Sequence, residues 1–179
     1  RENRIESRTS VTNEAMLEAV GPGKDRAALD LGCGEGWLSR AMTQLGWRVV
    51  GVDGSAGLIN TARTFGTGEY LCLDYSRLEA ALPNNGFDLV VDAVGGVETR
   101  RSASVAIKPG GVIVHIGLLE AEGGLDVRKM TLQEITFIGT YTYIMADFRD
   151  TVAALDAGVL GKLNWIEKRP LAEGASAFF

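Results

Sequence analysis

Residues 30–36 read Asp-Leu-Gly-Cys-Gly-Glu-Gly, directly after the apolar run Ala27-Ala28-Leu29 and before a segment with helical spacing. Gly32, Gly34 and Gly36 open conformations that residues with a Cβ avoid, so the stretch must be a tight turn joining a strand to a helix. They also let a ligand touch the backbone. Asp30 and Glu35 bear on that ligand's charge. The turn itself holds no Lys or Arg, so it suits a cation better than a pyrophosphate.

The same unit repeats along the chain. Helical spacing is expected over 11–20, with Thr12 as N-cap and Gly21-Pro22-Gly23 as the stop. Strands are expected at 26–31, 47–52, 69–73, 87–92, 112–117 and 135–140. Helices are expected at 36–45, 55–65, 75–82, 97–107 and 146–157, and the tail 171–178 is a further candidate. Pro83-Asn84-Asn85-Gly86 reads as a turn, and Lys108-Pro109-Gly110-Gly111 closes the helix before it.

Strands alternating with helices require crossover connections and a parallel sheet. The near-continuous Val, Ile and Leu of 87–92 and 112–117 mean burial on both faces. The expected fold is α/β: one doubly wound, Rossmann-like domain over 1–179, with about six parallel strands and helices on both faces. Ligands in such sheets bind beyond the carboxyl ends of the strands. Asp30, Asp53, Asp74 and Asp92 each end or follow a strand there, and turn formation alone would explain one or two of them.

Charge and composition remove several classes. A net charge of −5 gives no electrostatic footprint for nucleic acid or an anionic membrane. No apolar run approaches the ~20 residues of a membrane span. No signal-peptide pattern opens the sequence, so a cytoplasmic protein is expected. Cys33 and Cys72 lack metal-ligand spacing and read as reduced, half-buried side chains. The single histidine, His115, reads as a packed strand residue rather than a metal ligand or base.

A dinucleotide turn needs Gly-x-Gly-x-x-Gly, the third glycine admitting close helix packing. Counting from Gly32 and Gly34, the third position holds Trp37, and Gly36 falls one residue early. With Asp30 and Glu35 present, a sulfonium and ammonium ligand such as S-adenosylmethionine fits better than NAD. Asp53 can accept from both ribose hydroxyls. Asp74 can accept from an adenine amino group, with Leu73 or Tyr75 against the ring.

The runs Ala28-Leu29-Asp30-Leu31-Gly32-Cys33-Gly34-Glu35-Gly36, Val49-Val50-Gly51-Val52-Asp53-Gly54-Ser55 and Tyr70-Leu71-Cys72-Leu73-Asp74-Tyr75 resemble a class I S-adenosylmethionine-dependent methyltransferase over residues 10–92. The resemblance implies that the turn (Asp30, Gly32, Gly34, Gly36) holds the methionine part, Asp53-Gly54 the ribose and Asp74-Tyr75 the adenine. Asp92 is a weak candidate on the acceptor side. S-Adenosylhomocysteine would bind the same site.

The second half resembles the nicotinamide-binding domain of medium-chain alcohol dehydrogenases. The resemblance runs through Phe87-Asp88-Leu89-Val90-Val91-Asp92-Ala93-Val94-Gly95-Gly96, through 107–118 and 132–141, and on to Pro170-Leu171. It carries no zinc-ligand set, and the seventh, antiparallel strand of a methyltransferase is not evident. The two resemblances meet at 87–92, which implies a hybrid of a methyltransferase-like half (1–86) and a dehydrogenase-like half (87–179), made by recombination or by engineering. One divergent natural protein is the alternative. Residues 125–130 resemble the segment through which such dehydrogenases pair, so a homodimer is expected there; a solvated loop is the other reading. The expected function is S-adenosylmethionine binding without efficient turnover. The alternatives are an active small-molecule methyltransferase and an NAD(P)-binding oxidoreductase fragment.

Overall fold

Alternating apolar strands and amphipathic helices assemble into one six-stranded parallel sheet. In the computed structural model, residues 17–18, 20–66, 68–140, 145–159, 169–170 and 172–174 are described. The chain divides into two units, Leu17–Thr142 and the pair Arg1–Met16 with Tyr143–Phe179. The first unit holds β1 (Ala27–Leu31), α1 (Trp37–Gln44), β2 (Arg48–Asp53), α2 (Ala56–Thr64), β3 (Glu69–Cys72), a 3₁₀ turn (Tyr75–Arg77) and α3 (Leu78–Ala81). It continues with β4 (Phe87–Asp92), α4 (Val97–Ala106), β5 (Ile107–His115), α5 (Val127–Leu132) and β6 (Thr136–Gly139). In the second unit the described helix is α6 (Met145–Asp156), where Met145, Phe148, Val152 and Leu155 are exposed.

The strand order is β3-β2-β1-β4-β5-β6, with every neighbouring pair parallel. This is the order of the doubly wound dinucleotide fold, and it confirms the expected class. The order reverses between β1 and β4, so the chain leaves their carboxyl ends toward opposite sides and opens a crevice there.

β1 is buried on both faces, which is why it reads as a continuous apolar run. Ala27, Leu29 and Leu31 join Val52, Leu78, Phe87, Val90, Ile107 and Ile113 in one core. Full burial of each such large side chain contributes about 2 kcal/mol. Residues of the opposite parity face the other layer, where Cys33, Ile59, Ala62 and Tyr70 pack together. Asp30 has this parity, so the pleat itself turns its carboxyl inward.

Asp88 ties the centre of the sheet to both sides. Its Oδ2 accepts from the Ala27 N–H at 2.8 Å and from Lys108 Nζ at 2.8 Å. Burial pushes this carboxyl up, but the Lys108 and Ala27 hydrogen bonds outweigh it and hold the group below the usual carboxylate range.

The structure moves some expected boundaries. β5 begins at Ile107 rather than 112, because Phe87 pairs with Ile107 and Leu89 with Val112, so 108–111 form a bulge. Gly110 has φ 71° in that bulge, and its N–H reaches the Gln133 carbonyl at 2.8 Å. Residues 127–132 form a helix, not a loop; the Asp126 carboxylate caps it by accepting from the Lys129 N–H at 2.8 Å. Cys72 is exposed, whereas Cys33 is buried. Of the expected helix 11–20, residues 17, 18 and 20 are described and are helical. The tail 171–178 lies outside the described residues except for the 3₁₀ residues 172–174.

Candidate functional site

The glycine turn is built on the end of β2. Gly32 and Cys33 both donate to the Val52 carbonyl, at 2.8 and 3.0 Å, and Gly36 donates to the Cys33 carbonyl at 2.9 Å. Gly34 has φ 54° with open space where a Cβ would stand. At Gly36 the φ is 74°, and a Cβ would meet the Tyr70 ring at 2.7 Å, so this glycine serves packing. Gly32 is pressed from the other side, since its Cβ would lie 2.8 Å from Val94 Cγ2. The first glycine turn and the loop after β4 are therefore in direct contact.

Asp30 is 2% exposed, and Ser39 Oγ of α1 donates to its Oδ2 at 2.6 Å. Burial, only partly offset by that hydrogen bond, pushes the carboxyl up to about 6, and Asp53 adds to the rise. Asp30 is therefore sealed beneath the turn rather than open to the crevice. The turn is also less bare of cations than its residues suggest. Arg40, five positions beyond Glu35, donates from Nη1 to the Glu35 carbonyl at 2.6 Å and stacks on Phe65. One helical turn brings it back, a reach that inspection of 30–36 misses.

Asp53 ends β2 and holds the turn. Its Oδ2 accepts from the Gly34 N–H at 3.0 Å and its Oδ1 from the Ser55 N–H at 2.8 Å. Gly54 beside it is exposed. Asp74 is exposed past β3; the Ser76 hydroxyl and the Ser76 N–H, the latter at 3.0 Å, both donate to its Oδ1 and lower its pKa. Tyr75 is half-buried, and burial raises its phenol.

Asp74 and Tyr75 form one side of a groove of about 380 Å³ at the carboxyl ends of the strands; Val94, Thr99, Leu119 and Glu120 form the other. Glu98 is also at its rim, paired with Arg101 at 2.9 Å. Three carboxylates and no Lys or Arg line this groove. Of the sequence-predicted residues, Asp74 and Tyr75 face it; Asp30, Asp53, Gly54, Asp92 and the three turn glycines lie outside its lining.

Asp92 is fully buried and organises the far wall. Val94 N–H and Gly95 N–H donate to its Oδ1 at 3.0 and 2.8 Å, and Thr99 Oγ1 donates to Oδ2 at 3.1 Å. His115 Nδ1 lies 3.2 Å from the same Oδ2. His115 is a partly buried strand residue, packed against Phe137, and this contact with Asp92 adds to that reading. Its signal was in register: Asp92 and His115 are aligned partners on adjacent strands.

The same wall includes the loop after β5, held by Arg100. This guanidinium is 5% exposed and donates to the Gly95, Glu120, Glu122 and Gly123 carbonyls. Glu120 accepts from the Val97 N–H at the start of α4. Sequence inspection missed Arg100, because nothing marks a helical arginine as buried.

Strand order, glycine turn and carboxylates at the strand ends define a Rossmann-like α/β domain of the cofactor-binding type. The chain belongs to the zinc-binding dehydrogenase family, whose model matches residues 38–157. It is also 38% identical over 96 residues to a ubiquinone biosynthesis O-methyltransferase of Bradyrhizobium sp., covering 48% of this chain and 37% of that one. An uncharacterized methyltransferase of Mycobacterium tuberculosis is 33% identical over 128 residues, covering 70% of this chain and 57% of the relative. The chain thus spans between about a third and somewhat over half of these relatives. Alcohol dehydrogenase TADH from Thermus sp. ATN1 superposes with a TM-score of 0.59 at 19% identity, over 87% of this chain and 45% of that one, which shows the fold. Similarity to both dehydrogenases and methyltransferases is therefore present in one chain. The dehydrogenase match begins well before β4, and by length it overlaps the longer methyltransferase match.

The residues here do not fit the zinc of that family's name. The chain has two cysteines and one histidine, and among the described residues no group of three His, Cys, Asp or Glu could hold a metal ion. Among the described residues no helix is long and apolar enough to cross a membrane.

Proposed function

We propose that this chain is an S-adenosylmethionine-binding domain, a hybrid whose first half is methyltransferase-derived and whose second half is dehydrogenase-derived, without efficient turnover. The observation that carries this reading is the pair of buried carboxylates, Asp30 and Asp53, beneath the glycine turn. A pyrophosphate placed there would bring negative charge against both. A sulfonium and ammonium ligand would be attracted. In this reading Gly34 gives the backbone approach, Asp53 with Gly54 the ribose contact, and Asp74 with Tyr75 the adenine contact. Asp30, Gly32, Gly36 and Asp92 shape the site from below. The cofactor would supply an activated methyl group, and S-adenosylhomocysteine would occupy the same contacts.

Turnover needs an acceptor aligned with the methyl group. The residues after β4 that would build an acceptor pocket are instead committed to Asp92 and Arg100. An active small-molecule methyltransferase is accordingly the secondary reading. NAD(P) binding is favoured by the dehydrogenase match over 38–157, and Asp53 suits a ribose in either ligand. Trp37 and Asp30 do not fit a pyrophosphate turn.

Thermal unfolding with S-adenosylmethionine, S-adenosylhomocysteine, NAD and NADP separates these readings. A ligand at 100 times its dissociation constant stabilises by ~2.7 kcal/mol. Stabilisation by the adenosyl compounds alone supports the proposal; stabilisation by NAD or NADP alone overturns it. A homodimer through 125–130 is part of the proposal. Its support is the exposure of Val127 and Leu132 on α5, at 66% and 71%. Light scattering on the purified protein decides it, and a monomer at high concentration refutes it.

A further inference from the structure

His115 is the one histidine of the chain and has no part in the ligand contacts proposed above. It ends β5 in register with Asp92, which ends β4, so both stand at the carboxyl edge where ligands of such sheets bind. Its ring is held from several sides. The Asp92 side chain is 0% exposed and already receives the Val94 and Gly95 N–H groups on Oδ1 and the Thr99 hydroxyl on Oδ2. A carboxylate can only accept, so the 3.2 Å contact between Oδ2 and His115 requires the hydrogen on Nδ1. The Phe137 ring lies against the imidazole at 5.4 Å, tilted by 33°. Beyond it, the Ile116 and Gly117 N–H groups tie the following chain to the Asp92 carbonyl. In the neutral ring Nε2 then keeps its lone pair, and the side chain is 17% exposed.

Asp92 also joins His115 to the glycine turn and the groove. The Val94 N–H that it holds belongs to a residue pressed against Gly32, and Thr99, bonded to the same Oδ2 as His115, lines the groove. An imidazole oriented by a buried carboxylate, with its outer nitrogen free, is the arrangement of a general base. We propose that His115 is the proton acceptor of this site, serving an alcohol or phenol at the carboxyl end of β4. Nε2 takes the hydroxyl proton as the oxygen forms its bond to the methyl carbon. The carbon–sulfur bond breaks, its electron pair stays on sulfur, and the imidazolium returns the proton to water. This rests on the adenosyl-ligand reading above. It adds that what the chain lacks for efficient turnover is an acceptor pocket and not a base.

Single-turnover transfer of the methyl group from S-adenosylmethionine to catechol, with protein in excess, tests the proposal. His115→Gln should slow the transfer by about a hundredfold or more and leave adenosyl affinity within a few-fold of the wild type. The wild-type rate should fall as pH drops from about 8 to about 5, and the variant should lose that dependence. Nitrogen NMR of the chain's one imidazole needs no variant, and it should show the neutral ring protonated at Nδ1. Near-wild-type transfer by His115→Gln, or a neutral ring protonated at Nε2, overturns the proposal and leaves the adenosyl reading standing. So does a wild-type protein that binds S-adenosylmethionine but transfers nothing to catechol. Failure of S-adenosylmethionine and S-adenosylhomocysteine to bind overturns the two together.

Discussion

Asp92 and His115 end neighbouring parallel strands in register, and Asp92 Oδ2 lies 3.2 Å from His115 Nδ1. The same carboxylate receives two loop N–H groups and the Thr99 hydroxyl. Removing it strands four donors in a buried place. Asp92→Ala should cost about 3–5 kcal/mol in urea unfolding, while Asp92→Asn, which keeps one acceptor oxygen, should cost less. A loss under 1 kcal/mol for the alanine variant would show that the loop does not depend on this group.

Asp30 makes stability depend on pH in an unusual direction for a carboxylate. Its folded value, about 6, lies above the ordinary one. The folded state therefore holds this proton more tightly than the unfolded chain. The stabilisation is complete below about pH 4 and is lost as pH rises through about 6, with a ceiling of about 3 kcal/mol. Urea midpoints measured from pH 4 to 7 should show this contribution falling, and Asp30→Asn should flatten that part of the profile. Asp88, held below its ordinary value, acts oppositely: its contribution is present above the unfolded value and lost as pH falls through the folded one.

Two of the turn glycines, Gly36 and Gly34, should separate packing from ligand approach. Gly36→Ala meets both a φ of 74° and the Tyr70 ring, and should cost more than 2 kcal/mol. Gly34→Ala meets the unfavourable φ alone, and about 1 kcal/mol is expected. If a ligand touches the backbone at Gly34, this mild variant should weaken binding at least tenfold. Unchanged affinity for the adenosyl compounds would remove Gly34 from the site.

Arg100 holds four carbonyls around a segment without secondary structure of its own. Arg100→Met should free residues 118–123 before it unfolds the sheet. A glutamate-specific protease should then cleave at Glu120 and Glu122 much faster than in the wild type, with circular dichroism little changed. Equal cleavage rates would show that the loop is held by its other hydrogen bonds.

The sheet was legible because parallel strands buried on both faces leave continuous apolar runs, as in β1 and β4. The carboxylates at strand ends were legible because a doubly wound sheet gathers those ends on one side. Side-chain direction was not: Asp30 and Asp53 look alike in sequence, yet one packs under α1 and the other braces the turn. Long-range partners were equally hidden. Asp92 and His115 are 23 residues apart, and only the strand register joins them. Arg40 lay outside the motif but one helical turn away from it. Residues 127–132 escaped because a six-residue helix is too short to show a period, and its cap, Asp126, resembles any loop aspartate.

The two bonds of Asp88 differ in how much they ask of the residue at the other end. Toward β5 it grips the Lys108 side chain, a partner of one particular kind. Toward β1 it grips the amide of Ala27, which any residue except proline supplies. The contact is thus particular on one side and indifferent on the other. A segment beginning near Asp88 carries its specific partner with it and asks of its neighbour only a backbone in the right place. In the proposed hybrid, this strand is where a joint would ask least of the first half.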